Sequence, residues 1–252
     1  MQLHQDKGYK GMGMEGRVAT WYAKNTAHDM AEFQALAQRL AQTIHPASQI
    51  LEVAPGPGYL AIELARRGQY AVTGLDISKT FVEIATANAR RASVTIDFQH
   101  GNASAMPFAD STFDFILCRA AFKNFSQPLE ALNEMHRVLK PHGRAVIIDL
   151  RKDASLDDIS AYIKDANLGW ANSLVYKVTF RYLLIPRAYS KRQFIDLAAS
   201  SRFGAAEISE SGIGFEITLR KWASLLLAGA SPCEATHERL RRSARVGGTA
   251  MP

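Results

Sequence analysis

The chain has 252 residues, 47% hydrophobic and 21% charged, values that suit a soluble globular fold with a sizeable core. No apolar run approaches the ~18 residues of a membrane span, and the start MQLHQDKGYK lacks a signal-peptide core, so a cytoplasmic protein without a membrane span is expected. The net charge of +6 is modest, and two distant cysteines, Cys118 and Cys233, make neither a disulfide framework nor a metal cluster, so no metal site is expected.

The first 25 residues are rich in Gly and Met, carry Tyr9, Trp21 and Tyr22, and have no clear period. Thr26-x-x-Asp29 reads as a helix start. Met30, Phe33, Leu36, Ala37, Leu40 and Ile44 then share one apolar face, and His45-Pro46 ends that helix. Strands and helices follow in alternation. The spacing predicts strands over 49–53, 71–75, 94–100, 113–118 and 145–148, with helices over 59–67, 79–91 and 127–139. Apolar strands separated by helices imply a parallel sheet covered on both faces. After Asp149 the rhythm breaks. Residues 153–185 hold helical and apolar pieces with Trp170, Tyr176, Phe180 and Tyr182. A helix over 191–199 precedes two strands, 205–211 and 214–220, joined by a short turn and hence antiparallel. The tail sets Arg239, Arg241, Arg242 and Arg245 against Glu234 and Glu238, which fits a solvated terminus. No aromatic-studded basic stripe supports nucleic-acid binding.

The stretch EVAPGPG, 52–58, carries the first chemistry. Gly56 and Gly58 let a backbone turn sharply between a strand and a helix and approach a ligand closely. The following helix start offers free N–H groups to a phosphate or a carboxylate. Asp76, ending the second strand, can accept hydrogen bonds from ribose hydroxyls. Gly56-Pro57-Gly58-Tyr59-Leu60-Ala61 also fits G-x-G-x-x-G/A, so glycines and a distal acid alone do not separate a nicotinamide cofactor from S-adenosylmethionine. Other features lean towards the second. Glu52 is an acid inside a buried strand, which would repel pyrophosphate yet could orient an amino group. The segment 101–108, GNASAMPF, puts an amide and an apolar edge where an adenine would lie. The chain also ends on an antiparallel strand pair instead of a second mononucleotide-binding half.

On ILEVAPGPGYLAIELA, VTGLDIS, GNASAMPF, STFDFILC and EMHRVLKPHGRAVIIDL, the sequence resembles the class I S-adenosylmethionine-dependent methyltransferases, particularly those like the ubiquinone/menaquinone-biosynthesis C-methyltransferases. The resemblance covers about residues 48–150. It implies a Rossmann-like, doubly wound, seven-stranded α/β sheet, mostly parallel, with an antiparallel C-terminal pair and an N-terminal helical lid. The expected organisation is a lid and helix over 1–45, the methyltransferase domain over 46–232 with a substrate-side insertion over 153–188, and a polar flexible tail over 233–252. The implied cofactor is S-adenosyl-L-methionine, released as S-adenosyl-L-homocysteine. Its methionine part would lie in the Glu52–Gly58 loop, its ribose on Asp76 beside Ile77, and its adenine between Asn102 and Ala103. Arg119 and the lid residue Tyr22 complete the cofactor set. Two positions depart from the family. Ala54 stands at a usual glycine, where the alanine argues for φ < 0, and Asn102 replaces an acid but can still bind an adenine amino group.

The acceptor would lie over the ends of strands four and five. Phe122, Lys123, Asn124 and Arg151 are substrate-binding candidates there, with Tyr9 from the lid and Tyr182 from the insertion. Methyl transfer from a sulfonium needs alignment and a dry site more than a base. The catalytic residue therefore stays open, with Lys123, Asp149 and His100 as candidates. The expected partner is a small molecule, and the protein a monomer or homodimer. The alternatives are a nicotinamide-dependent oxidoreductase and a non-catalytic S-adenosylmethionine-binding protein.

Overall fold

The computed structural model describes residues 8–10, 13–165, 180 and 184–222. Two N-terminal helices, α1 (Gly16–Thr26) and α2 (Met30–Ala41), lead into β1 (Gln49–Val53). Then come α3 (Tyr59–Ala65), β2 (Ala71–Asp76), α4 (Lys79–Arg91), β3 (Asp97–His100), β4 (Phe113–Arg119), α5 (Pro128–Val138) and β5 (Leu139–Leu150). After α6 (Leu156–Asp165), the described chain resumes with α7 (Lys191–Ser200) and the hairpin β6 (Glu207–Ser211) and β7 (Gly214–Arg220).

The strands form one sheet in the order β3-β2-β1-β4-β5-β7-β6. Every pair from β3 to β5 is parallel, and β7 runs antiparallel to both neighbours. Side-chain alternation assigns the two faces. In β4, Phe115 and Leu117 join Phe33 and Leu40 of α2 and Leu60 and Leu64 of α3. Ile116 and Cys118 join Leu132, Met135 and Val138 of α5 and Phe194 of α7. A register shift between Phe113 and Phe115 turns Phe113 to the second face, as an irregular extra residue does in a ladder.

Four boundaries differ from the sequence expectation. Helix α1 is present where no period was legible, because it buries two small residues, Ala19 and Ala23, instead of an apolar stripe. Val94 closes the end of α4 from outside the helix: its N–H donates to the Ala89 carbonyl, 3.1 Å, and β3 keeps only four residues. Strand β5 begins at Leu139, six residues early, because Leu139 pairs with Phe113 before the irregularity. Strand β6 begins at Glu207 rather than at 205. The tail 233–252, with Cys233, lies outside the described residues, as do Trp170, Tyr176 and Tyr182.

The strand order reverses between β1 and β4, and a doubly wound sheet binds ligands outside the carboxyl ends of its strands at that reversal. The segments 54–58, 77–78, 101–103 and 120–124 all leave strands along that edge.

Candidate active site

After β1 the chain turns through Ala54 (φ 56°), Gly56 (φ 55°) and Gly58 (φ 80°), three alternate residues in the left-handed region. The expectation of φ < 0 at Ala54 is therefore wrong. The Ala54 N–H reaches the Leu75 carbonyl at 2.8 Å, which holds the turn against β2. The alanine methyl is accommodated there at a strain of about 1 kcal/mol. At Gly58 even that is impossible, since a Cβ would stand 2.8 Å from the Phe98 ring and 2.9 Å from Ala85. A Cβ at Gly56 would meet nothing within 4 Å, so that backbone faces open space.

Asp76 fastens this loop. Its Oδ2 accepts the Gly56 N–H at 3.0 Å and its Oδ1 the Ser78 N–H at 2.9 Å. Burial raises its carboxyl to about 6 against those two hydrogen bonds. Each oxygen keeps a further lone pair for a hydroxyl. Glu52, one strand over, is 3% exposed, and among the described residues its Oε2 is the buried side-chain atom without a hydrogen-bond partner. Burial pushes its carboxyl up to about 8, opposed by Arg119 and the Ala61 N–H and reinforced by Asp76.

Arg119 turns towards α2. Its Nη2 meets Glu32 of α2 at 2.6 Å, and its guanidinium carbon lies 4.7 Å from the Phe33 ring centroid. At the far end of the sheet Asn102 turns back on itself, its Oδ1 accepting the Ser104 N–H at 2.9 Å. Ala103 packs partly buried on the core. Ile77 and the Asn102 amide are met by Gly8: a Cβ on Gly8 would overlap Ile77 and stand 2.9 Å from Asn102 Nδ2.

Gly8 belongs to a strap. Tyr9 bridges antiparallel to Phe125, the Lys10 N–H donates to the Asn124 carbonyl at 2.6 Å, and the Ser126 N–H donates to Gly8 at 3.3 Å. Tyr9 thus meets main chain beyond β4, and its hydroxyl folds over Gly13. Further on, Ser78 Oγ donates to the Met14 carbonyl at 2.5 Å, and Glu15 accepts from the Lys79 N–H, the Thr80 N–H and the Thr80 hydroxyl. The strap thus ties the β4–α5 connection to the start of α4. Helix α1 continues it: Tyr22 stacks edge-on against Phe81 at 5.8 Å, and the Tyr59 hydroxyl donates to the Ala23 carbonyl at 2.8 Å. Burial raises the Tyr22 phenol, with Arg119 opposing and Asp29 and Asp149 adding.

On the acceptor side Lys123 and Asp149 form a buried ion pair, Nζ to Oδ1 at 2.7 Å, their side chains 6% and 4% exposed. The Lys123 N–H also donates to Asp149 Oδ2 at 3.0 Å, and Nζ donates to the Ala120 carbonyl at 2.6 Å. Neither group is a free base or acid. The pair fixes a turn in which Ala120 has φ 57°. Phe122 is core, 1% exposed, packed against Phe125, Tyr189 and Phe194. Arg151 is committed to Asp158 at 2.8 Å and the Gly212 carbonyl at 2.9 Å, with Glu210 at 3.3 Å, so it braces α6 and the hairpin. His100 pairs with Asp76 across the ladder on the sheet's edge strand, with β2 and β1 between it and β4, so it is not beside the acceptor turn. Asn124 is half-buried beside that turn. Two residues escaped the sequence reading. Tyr59 opens α3 and binds α1. Tyr189, half-buried, has its phenol raised by burial and then by Asp149, and Lys10 Nζ lies 5.8 Å from its ring centroid. Only their positions beside turns could have marked them.

Residues 51–147 match the family described as a methyltransferase domain. Over those residues the chain is similar to methyltransferase domains. A demethylmenaquinone methyltransferase of Deinococcus radiodurans is 36% identical over 112 residues, 44% of this chain and 46% of the relative. Another from Chlorobaculum parvum is 40% identical over 101 residues, 40% of each chain. The chain spans less than half the length of these curated relatives. In fold, it is similar to a protein of Methanococcus maripaludis described as an S-adenosyl-L-methionine-dependent methyltransferase: TM-score 0.66, 21% identity, 86% of this chain and 98% of that one. No helix among the described residues is long and apolar enough to cross a membrane.

Proposed function

We propose that the protein binds S-adenosylmethionine at the 52–58 loop and transfers its methyl group to a small-molecule acceptor. The observation that carries this reading is the loop itself. Three alternate left-handed residues follow Glu52, whose buried Oε2 has no hydrogen-bond partner, and Asp76 holds the Gly56 amide. Those groups fit a nucleoside that bears an amino acid: Glu52 for an ammonium, the 54–58 main chain for a carboxylate, Asp76 and Ile77 for the ribose, Asn102 and Ala103 for the adenine. Bound there, the cofactor supplies a methyl group on a positively charged sulfur.

The chain's own contribution is alignment and exclusion of water. The strap residues 8–10 and 13–15 and α1 act as the cover, with Tyr22 above the cofactor edge. The Lys123–Asp149 pair holds the acceptor-side turn rigid without moving a proton, and Asn124 and Tyr189 line that side. The names of the relatives favour an aromatic, quinone-like acceptor. The matched residues stop at 147, so that preference draws on neither α6 nor the β6–β7 hairpin.

The test is transfer of labelled methyl from S-adenosylmethionine into a metabolite extract. A labelled small molecule that is absent from an Asp76→Asn control is expected. Cofactor binding with no labelled product in any extract would point to a non-catalytic binding protein. Amide exchange over residues 8–25 should slow when S-adenosylhomocysteine binds, and unchanged exchange would remove the cover.

A further inference from the structure

Glu52 sits at the crossing of four elements, and the charges facing it can be named. Arg119 faces it from β4, Asp76 from β2, and the Ala61 N–H from α3, and Cys118 of β4 feels its charge. Behind Cys118 stand Lys123 and Asp149, and Tyr22 of α1 shares the field of Arg119 and Asp149. From α2, Glu32 acts through its hold on Arg119. Both nearby cations are already committed. Lys123 is bound by Asp149 at 2.7 Å and the Ala120 carbonyl at 2.6 Å. Arg119 is drawn to Glu32 at 2.6 Å and lies over Phe33. A carboxylate buried to 3% exposure, with one oxygen unpartnered and no cation on it, is expensive to keep ionised.

We propose that the free protein holds Glu52 as a neutral acid, with Glu32 keeping Arg119 off it, and that Glu52 gives its proton to solvent as the cofactor's α-ammonium group takes its place beside the carboxylate. This rests on the reading of the 52–58 loop as the methionine end of the site. Burial, which raises Glu52 to about 8, agrees with the geometry. Below that value each binding event must expel a proton, so affinity rises up to about tenfold per pH unit and levels off above it. Asp76 titrates lower, near 6, so neutral pH isolates Glu52. Glu32 is a positioning residue here: released from it, Arg119 can pair with Glu52 and ionise it in advance.

Calorimetric titration of the whole protein with S-adenosylhomocysteine, at about pH 7 in two buffers of different ionisation enthalpy, reads the proton directly. Release of about one proton per ligand is expected. Glu52→Gln should still bind, more weakly, with no release. Glu32→Gln should release less than the wild type. 5′-Methylthioadenosine, which lacks the amino-acid end, should bind with no release. S-adenosylhomocysteine binding without proton release, or release that persists in Glu52→Gln, overturns this inference while leaving the cofactor reading standing. An absence of binding by S-adenosylhomocysteine overturns the cofactor reading and this inference with it.

Discussion

The cofactor half and the acceptor half of the site are built differently. On the proposed cofactor side the backbone shapes the site. Left-handed turns at 54, 56 and 58 and the Gly56 N–H on Asp76 demand particular residues at fixed spacing. On the acceptor side the wall is made by side chains far apart in sequence, such as Lys123 and Asp149, which are 26 residues apart. A backbone-built site restricts what each position can hold, whereas a side-chain wall can be assembled from many residues.

The largest effect should come from breaking the acceptor wall. Lys123→Met leaves Asp149 buried and unpaired, at a cost of about 3–5 kcal/mol. At about 2–4 °C per kcal/mol in a chain of this size, the melting temperature should drop by at least about 6 °C. Lys123→Met with Asp149→Leu should recover most of the loss. A single variant as stable as the wild type would show that the pair does not hold that turn.

On the cofactor side, pH is the next lever. Glu52 and Asp76 have folded values near 8 and 6, above their ordinary 4.5 and 3.8. The folded protein therefore holds protons that the unfolded chain releases. The stability this contributes is full below those ordinary values and is lost as pH rises through 6 and then 8. The melting temperature of the free protein should fall between about pH 5 and 8, and less steeply in Glu52→Gln. Equal slopes would mean that Glu52 is not the group responsible.

Legibility followed the same division. Apolar runs such as 115–118 and 145–147 marked the strands, because a parallel strand covered on both faces has little freedom in composition. Asp76 and the glycines stood out because their spacing is set by the backbone. Helix α1 did not, since Ala19 and Ala23 bury small surfaces that leave no stripe. Arg151 and Phe122 look the same in sequence whether they face a substrate, an ion-pair cluster or the core. Arg119 was read towards the adenine or the sheet edge, and nothing in a strand-end arginine tells that Glu32 meets it on α2.

Two smaller changes sharpen the contrast. Asp76→Asn removes a charged acceptor from the Gly56 and Ser78 amides. It should weaken S-adenosylhomocysteine binding by about 1.5–3 kcal/mol, measured by titration, with a smaller loss of stability. An unchanged affinity would remove Asp76 from the site. Ala54→Gly relieves a left-handed alanine and should raise stability by up to about 1 kcal/mol in thermal melts, partly offset by the greater freedom of glycine in the unfolded chain. A clear loss of stability would mean that the Ala54 methyl packs better than its backbone is strained.

The central claim is that the 52–58 loop reads a methylated amino-acid nucleoside and not a dinucleotide. Parallel calorimetric titrations with S-adenosylhomocysteine and with NADH test it most directly. The account predicts one-to-one binding of S-adenosylhomocysteine, weakened in Asp76→Asn, and no heat from NADH. Saturable binding of NADH with none of S-adenosylhomocysteine would contradict it.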